Sequence, residues 1–170
     1  GSFGGTELVV RGDQVLTRKL RKVSGSGDAI ELTPQSTALL TGGLGALGRR
    51  TARWLVQRHG IQNIVLTSRR GDDAPEASEL IDELGALGAS ASVVRCDLEN
   101  RASVQAVVES AGIKFPLKTV VHLAGALDDC LVGELTPERL QRVMAPKLTG
   151  AKLLSEVVSH LDLEAFILFS

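Results

Sequence analysis

The segment Thr41-Gly42-Gly43-Leu44-Gly45-Ala46-Leu47-Gly48 constrains this chain more than any other. It lies between a short apolar run, Thr37-Ala38-Leu39-Leu40, and a stretch with helical periodicity. Gly43 and Gly45 let the main chain turn sharply and come close to a bulky anion with no Cβ in the way. Gly48 permits close packing of the helix on the strand. The free amides and partial positive charge at the helix start favour phosphate oxygens. A tight strand-to-helix turn with no ligand is the plainer alternative. The strand–glycine turn–helix order is the context that dinucleotide binding requires.

The pattern downstream repeats strand and helix in alternation. Leu47, Thr51, Trp54, Leu55 and Arg58 fall near one helix face, which places Trp54 in the core. Residues 63–67 form a second strand. Leu80, Ile81, Leu84 and Leu87 mark a helix ended by Gly88. A third strand at 91–95 precedes a helix lined by Val104, Val107 and Val108, and a fourth covers 119–123. Thr136-Pro137-Glu138 opens a helix with a Thr cap, a Pro in the first position and an apolar face of Leu140 and Val143. A second helix from Pro146 points Leu148, Ala151, Leu154 and Val158 inward, and residues 164–169 are a fifth strand. Nearly continuous apolar strands alternating with amphipathic helices predict a parallel sheet covered on both faces and doubly wound.

Residues 1–27 read differently. Gly1-Ser2-Phe3-Gly4-Gly5 is tag-like, residues 7–10 and 14–20 are short strands around Arg11-Gly12-Asp13, and Val23-Ser24-Gly25-Ser26-Gly27 is a linker. The basic tract Arg18-Lys19-Leu20-Arg21-Lys22 is short and lacks aromatics, so a solvated edge strand accounts for it better than a nucleic-acid patch. Residues 28–170 are then the nucleotide-binding unit.

Composition narrows the partners. Net charge is −1, aromatics are 3% and Tyr is absent, which gives no reason to expect nucleic acid or an anionic membrane. No apolar run spans a bilayer and no signal peptide is visible. Cys96 and Cys130 have no metal-type spacing and read as reduced, partly buried thiols of a cytoplasmic protein; no metal site is expected. His122 reads as a pocket-wall or core histidine with a satisfied ring nitrogen. His59 and His160 suit helix C-termini.

The end of the second strand distinguishes the two nicotinamide dinucleotides. A carboxylate there holds the ribose 2′-hydroxyl of NAD. This strand ends Thr67-Ser68-Arg69-Arg70, with no carboxylate before Asp72. Guanidinium groups match a 2′-phosphate, so the residues favour NADPH. Solvated loop arginines are the alternative, more plausible for Arg70 than for Arg69.

TGGxGxxG, then Ser68-Arg69-Arg70, Cys96-Asp97-Leu98 and His122-Leu123-Ala124-Gly125, resemble short-chain dehydrogenases/reductases. Leu127-Asp128-Asp129, Leu135-Thr136-Pro137-Glu138-Arg139-Leu140, Pro146-Lys147 and Phe166-Ile167-Leu168-Phe169-Ser170 narrow the resemblance to the ketoreductase domain of a modular (type I) polyketide synthase. It covers residues 36–170, and more weakly 6–22, which are similar to closing strands of that family's structural subdomain. The implied fold is α/β. It is a Rossmann-like doubly wound parallel sheet, incomplete at its C-terminal end, with a short N-terminal β segment from the structural subdomain.

The resemblance also implies a site. Its cofactor-binding residues are Thr41, Gly42, Gly43, Leu44, Gly45, Leu47 and Gly48 of the turn, with Ser68, Arg69 and Arg70. Asp97 and Leu98 lie at the adenine end, and Ala124 and Gly125 along the ribose and nicotinamide side. Lys147 matches the active-site lysine, where an ammonium orients the ribose or lowers the pKa of a proton donor. Its placement at a helix start opposes the dipole, which argues for a functional reason over a plain exposed lysine. Leu127, Asp128 and Asp129 match the B-type signature, which guides the polyketide from one side toward a D-configured alcohol; an acidic surface loop is the alternative.

The family's mechanism uses a serine, a tyrosine and an asparagine that this sequence lacks, since it stops at the first serine of the usual Phe-Ser-Ser and contains no Tyr. The expectation is therefore one piece of a longer ketoreductase, inactive alone. Within the longer protein, NADPH would reduce the β-keto group of a polyketide carried on the phosphopantetheine of an acyl carrier protein, beside neighbouring synthase domains. A stand-alone reductase of a small carbonyl and a non-catalytic scaffolding module are the alternatives.

Overall fold

A computed structural model of the chain describes residues 8–17 and 30–169. The tag-like start, the basic tract, the linker and Ser170 lie outside the described residues. β1 (Leu8–Arg11) and β2 (Gln14–Thr17) pair as an antiparallel hairpin, turned at Gly12 with φ +60°. The remaining strands are β3 (Thr37–Thr41), β4 (Asn63–Ser68), β5 (Ser90–Arg95), β6 (Leu117–His122) and β7 (Ala165–Leu168). They form one parallel sheet in the order β5-β4-β3-β6-β7. The helices are α1 (Ala46–His59), α2 (Glu76–Ala86), α3 (Arg101–Ala111), α4 (Pro137–Met144) and α5 (Ala151–Val158). The chain builds outward from β3 to β5, then crosses back to lay β6 on the other side of β3. That reversal leaves a crevice at the C-terminal ends of β3 and β6, where ligands bind in open α/β sheets.

The inner strands β3, β4 and β6 are buried almost along their length because both faces are covered, while the edge strands β5 and β7 are only partly buried. Leu40, Leu66 and Val121 pack under α1 and α2 with Leu55, Leu80 and Leu84. Their chain neighbours Leu39, Val65 and Val120 pack under α3 and α5 with Val104, Val108 and Leu154. Successive side chains of a strand point to opposite faces, so each adjacent apolar pair feeds both cores. Arg53 and Glu83 form a two-pronged ion pair between α1 and α2, and Arg49 pairs with Glu79 at 2.8 Å. The caps at α3 and α4 are made by Asn100, which accepts from the Ser103 amide at 3.1 Å, and by Thr136, which accepts from that of Arg139 at 3.3 Å.

Three sequence expectations are corrected. The buried face of α1 is Gly48, Ala52, Leu55 and Val56, while Trp54 is 48% exposed and Leu47 57%. Small residues let the helix lie close on the sheet, and the larger side chains are displaced outward. Trp54 instead meets His59 edge-on with ring centroids 4.4 Å apart. Second, the helix start placed at Pro146 is absent. Residues 137–158 wind continuously from α4 to α5 through a π-helical turn, Ala145–Gly150. Third, Leu148 in that turn is 59% exposed. A π turn holds more residues per revolution than an α turn, so it shifts the phase of the apolar stripe.

Leu84 is fully buried under the sheet. Leu84→Ala should lower stability by about 3 kcal/mol in urea melts. Ile113→Ala, at a position 84% exposed, should change it by less than about 0.5 kcal/mol.

Candidate cofactor site at the carboxyl edge of the sheet

The glycine turn is built by contact distances that only hydrogen satisfies. Gly42 has φ +66°, and a Cβ there would stand 2.8 Å from the Ala124 main chain. The sharp reversal thus falls on Gly42, one residue before the glycine to which the sequence assigns it. A Cβ on Gly48 would stand 2.4 Å from the Gly43 carbonyl oxygen, so the first turn of α1 rests directly on the backbone beneath it. The Gly43 amide donates to the Thr67 carbonyl at 3.1 Å and the Gly45 amide to the Gly42 carbonyl at 3.1 Å.

Among the described residues no side chain caps the N-terminus of α1, and its first turn has no acidic residue. The amides of Ala46, Leu47 and Gly48 have no intrahelical acceptor. They leave a concentration of donors and positive potential above the crevice. Gly45 is exposed beside them, Leu44 is partly buried against the core, and Thr41 is buried at the strand end.

At the adjoining strand end, the Ser68 hydroxyl donates to the Gly71 carbonyl at 3.3 Å. Arg69 is exposed and makes no hydrogen bond or ion pair among the described residues, whereas Arg70 pairs with Glu76 at 3.3 Å. Of the two, Arg69 is therefore the one whose guanidinium has no partner among the described residues. Asp97 accepts from the Glu99 amide at 3.0 Å, which orders the loop after β5. Leu98 lies under Gly150, where a Cβ would stand 3.1 Å from its own.

Across the crevice, Ala124 abuts Gly42, and a Cβ on Gly125 would stand 3.3 Å from Cε of Lys147. The structure thus brings the turn, Ala124, Gly125 and Lys147 together. Lys147 sits inside the π turn of a continuous helical run, so the argument from a helix-start dipole does not hold for it. Its exposure and its place beside Gly125 are the features that stand.

Leu127 is 87% exposed and Asp129 is exposed. Asp128, in contrast, is gripped by two arginines of α4. Arg139 donates to its Oδ1 at 2.5 Å and Arg142 to its Oδ2 at 3.2 Å. Arg139 also reaches the Asp129 carbonyl at 3.3 Å. The carboxylate anchors its loop to α4, a contact that no local sequence spacing signals.

His122 is 1% exposed. Its Nδ1 lies 2.6 Å from Thr41 Oγ1 and its Nε2 2.9 Å from the Pro146 carbonyl. Burial lowers its pKa below the ordinary 6.5, partly offset by the Pro146 carbonyl. Cys96 is buried and Cys130 partly so, both as free thiols; burial pushes the Cys96 thiol up. Among the described residues no helix is long and apolar enough to cross a membrane.

A parallel sheet with a glycine turn, open helix amides and a lysine across its switch point defines a Rossmann-like protein of the dinucleotide-binding class. The family model of the KR domain matches residues 36–170. Mycoketide-CoA synthase of Mycobacterium tuberculosis is 43% identical over 169 residues, covering 97% of this chain and 4% of that protein. Polyketide synthase GfsA of Streptomyces halstedii is 44% identical over 164 residues, covering 96% of this chain and 2% of its own length. Among solved structures, an A-type ketoreductase from a modular polyketide synthase superposes with a TM-score of 0.80 at 40% identity, over 98% of this chain and 36% of that one. The first ketoreductase of the tylosin PKS gives 0.79 at 38% identity, over 96% and 35%. The chain belongs to the ketoreductase (KR) domain family of polyketide synthases. It spans a small part of the curated relatives and about a third of the solved ketoreductases that it matches.

A methyl group at Gly48 has no room, whereas one at Gly133 would meet nothing within 4 Å. Gly48→Ala should cost about 2 kcal/mol of stability in urea melts and Gly133→Ala almost none.

His122 yields a pH prediction with a definite sign. A base whose pKa is lowered in the fold binds fewer protons there than in the unfolded chain. Its contribution is complete above pH 6.5 and is lost as pH falls from 6.5 through the lower folded value. The lowered carboxyls of Glu83, Glu138 and Asp162 act in the same direction, but only from their ordinary values of 4.5 and 3.8 downward. The urea midpoint should therefore fall between pH 7 and pH 5, and His122→Gln should flatten that part of the curve.

Proposed function

We propose that this chain holds NADPH across the carboxyl edge of its sheet and serves the reduction of a β-keto acyl group to a β-hydroxy group. The observation that carries the reading is the uncapped N-terminus of α1 over a cradle that any Cβ would fill, with no carboxylate at the end of β4. Donors in the first turn of α1 bind the pyrophosphate, and Arg69 binds the 2′-phosphate through charge-assisted hydrogen bonds. Arg70 is partly neutralised by Glu76 and plays the smaller part. Asp97 and Leu98 flank the adenine, and Ala124 and Gly125 line the path to the nicotinamide.

The bound dinucleotide supplies the hydride. Lys147, alongside Gly125, presents its ammonium to the nicotinamide ribose, and its positive charge favours release of a proton from a neighbouring donor. Ketoreductase domains of this family are oxidoreductases. The sequence contains no Tyr to serve as proton donor, so these residues on their own bind cofactor without turnover.

The relatives are polyketide synthases, which supports a substrate tethered by phosphopantetheine to an acyl carrier protein, with other synthase domains as neighbours. The same matches speak against a stand-alone reductase of small carbonyls. The residues Leu127-Asp128-Asp129 match the B-type signature, which supports entry of the acyl chain from one side and a D-configured alcohol; the arginines of α4 on Asp128 fix where that loop lies.

Titration of the chain with NADPH and NADH tests the cofactor reading. NADPH should bind at least roughly tenfold tighter, and Arg69→Ala should remove roughly tenfold of its affinity while leaving NADH unchanged. Equal affinities, or an unchanged preference in Arg69→Ala, would contradict the assignment of the 2′-phosphate to Arg69.

A further inference from the structure

The geometry points to His122 as a positioning residue: its buried ring pins the turn that carries Lys147 to the glycine turn of the cofactor cradle. The pinning is independent of any ligand; its value for Lys147 rests on the cofactor reading above.

The bonding fixes the state of the ring. The Pro146 carbonyl can only accept, so Nε2 at 2.9 Å carries the proton. Burial favours the neutral ring, and in it Nδ1 accepts from the Thr41 hydroxyl at 2.6 Å. Both nitrogens of the neutral imidazole are used, and no lone pair is left for proton abstraction. His122 is thereby excluded as a base and defined as a link.

What it links is specific. Thr41 immediately precedes Gly42, the residue with φ +66° that abuts Ala124. Pro146 immediately precedes Lys147 in the π-wound turn. The ring stands between them from the last position of β6, opposite Thr41 in the sheet register. An imidazole is rigid, so its two nitrogens set the separation of the two turns.

The turn needs such a tether, because apolar packing holds it poorly. No residue of α4 is buried, and only Ala145 and Gly150 are buried in the π turn. Residues 137–150 are held on one side by Asp128 with Arg139 and Arg142, and on the other by Leu98 beneath Gly150. Among the described residues, the hydrogen bond from His122 to Pro146 ties this segment to the strand end under the cofactor cradle.

Amide hydrogen exchange, read by NMR on the ligand-free chain, tests the link. His122→Leu should speed exchange roughly tenfold in both residues 42–48 and residues 145–150 while leaving β4 and β5 unchanged. His122→Gln, which can offer one donor and one acceptor, should recover most of the protection. Thr41→Val removes a single bond and keeps the test available if His122→Leu does not fold. It should loosen residues 145–150, which Thr41 reaches only through the ring. Imidazole ¹⁵N shifts should report the Nε2-protonated form. Faster exchange confined to residues 41–48, uniform loosening of the domain, or the Nδ1-protonated form would overturn the inference. NADPH titration of the same variants adds a double-mutant cycle, in which His122→Leu should cost little once Lys147 is Met; fully multiplicative losses would overturn the role for Lys147. Wild-type chain that fails to bind NADPH would refute the cofactor reading, and the exchange data would decide on His122 by themselves.

Discussion

The contact between Gly48 and Gly43 is the constraint on which the rest of this structure depends. Backbone rests on backbone there, with no space for even a methyl group. That closeness lets α1 lie on the sheet through Gly48, Ala52, Leu55 and Val56. It also aims the amides of the first turn over the C-terminal ends of β3 and β6. The open donors at this edge, on which the proposed cofactor binding rests, therefore follow from how α1 is seated through Gly48 and Ala52.

The switch in strand order supplies the second element. Because β6 returns to the far side of β3, the loop after β6 passes against Gly42, and the helical run that follows brings Lys147 beside Gly125. The apolar cores hold β3 to β7 firmly, but α4 and the π turn lie outside them. Polar contacts take over: Asp128 with its two arginines at the outer end, and His122 between Thr41 and Pro146 at the inner end. Hydrogen bonds are directional, and they fix geometry where hydrophobic packing is thin. In the proposed reading, the division gives the cofactor a firmly packed floor and a separately fastened wall beside it.

Much of this was legible in the chain. Doubled apolar residues such as Leu39-Leu40 and Val120-Val121 announce strands covered on both faces, and Thr136-Pro137 marks its helix start correctly. The misread parts share a cause, namely geometry that hydrophobic periodicity does not register. Gly48 and Ala52 contribute little to an apolar stripe yet form the contact face of α1, which put Trp54 on the wrong side. The π turn shifted the phase at Leu148 and removed the helix start on which the dipole argument for Lys147 depended. The grip on Asp128 spans 11 and 14 residues of sequence, and the His122 link 81 and 24, so neither has a local signature.

The most direct test of this account is the map of backbone amide shift changes when NADPH is added to the chain. The account predicts the largest changes in residues 42–48, around Ser68 and Arg69, and at Ala124 and Gly125. No saturable change, or changes centred on the arginine-rich outer face of α1 at Arg50, Arg53 and Arg58, would mean that the glycine turn is only a way of seating a helix.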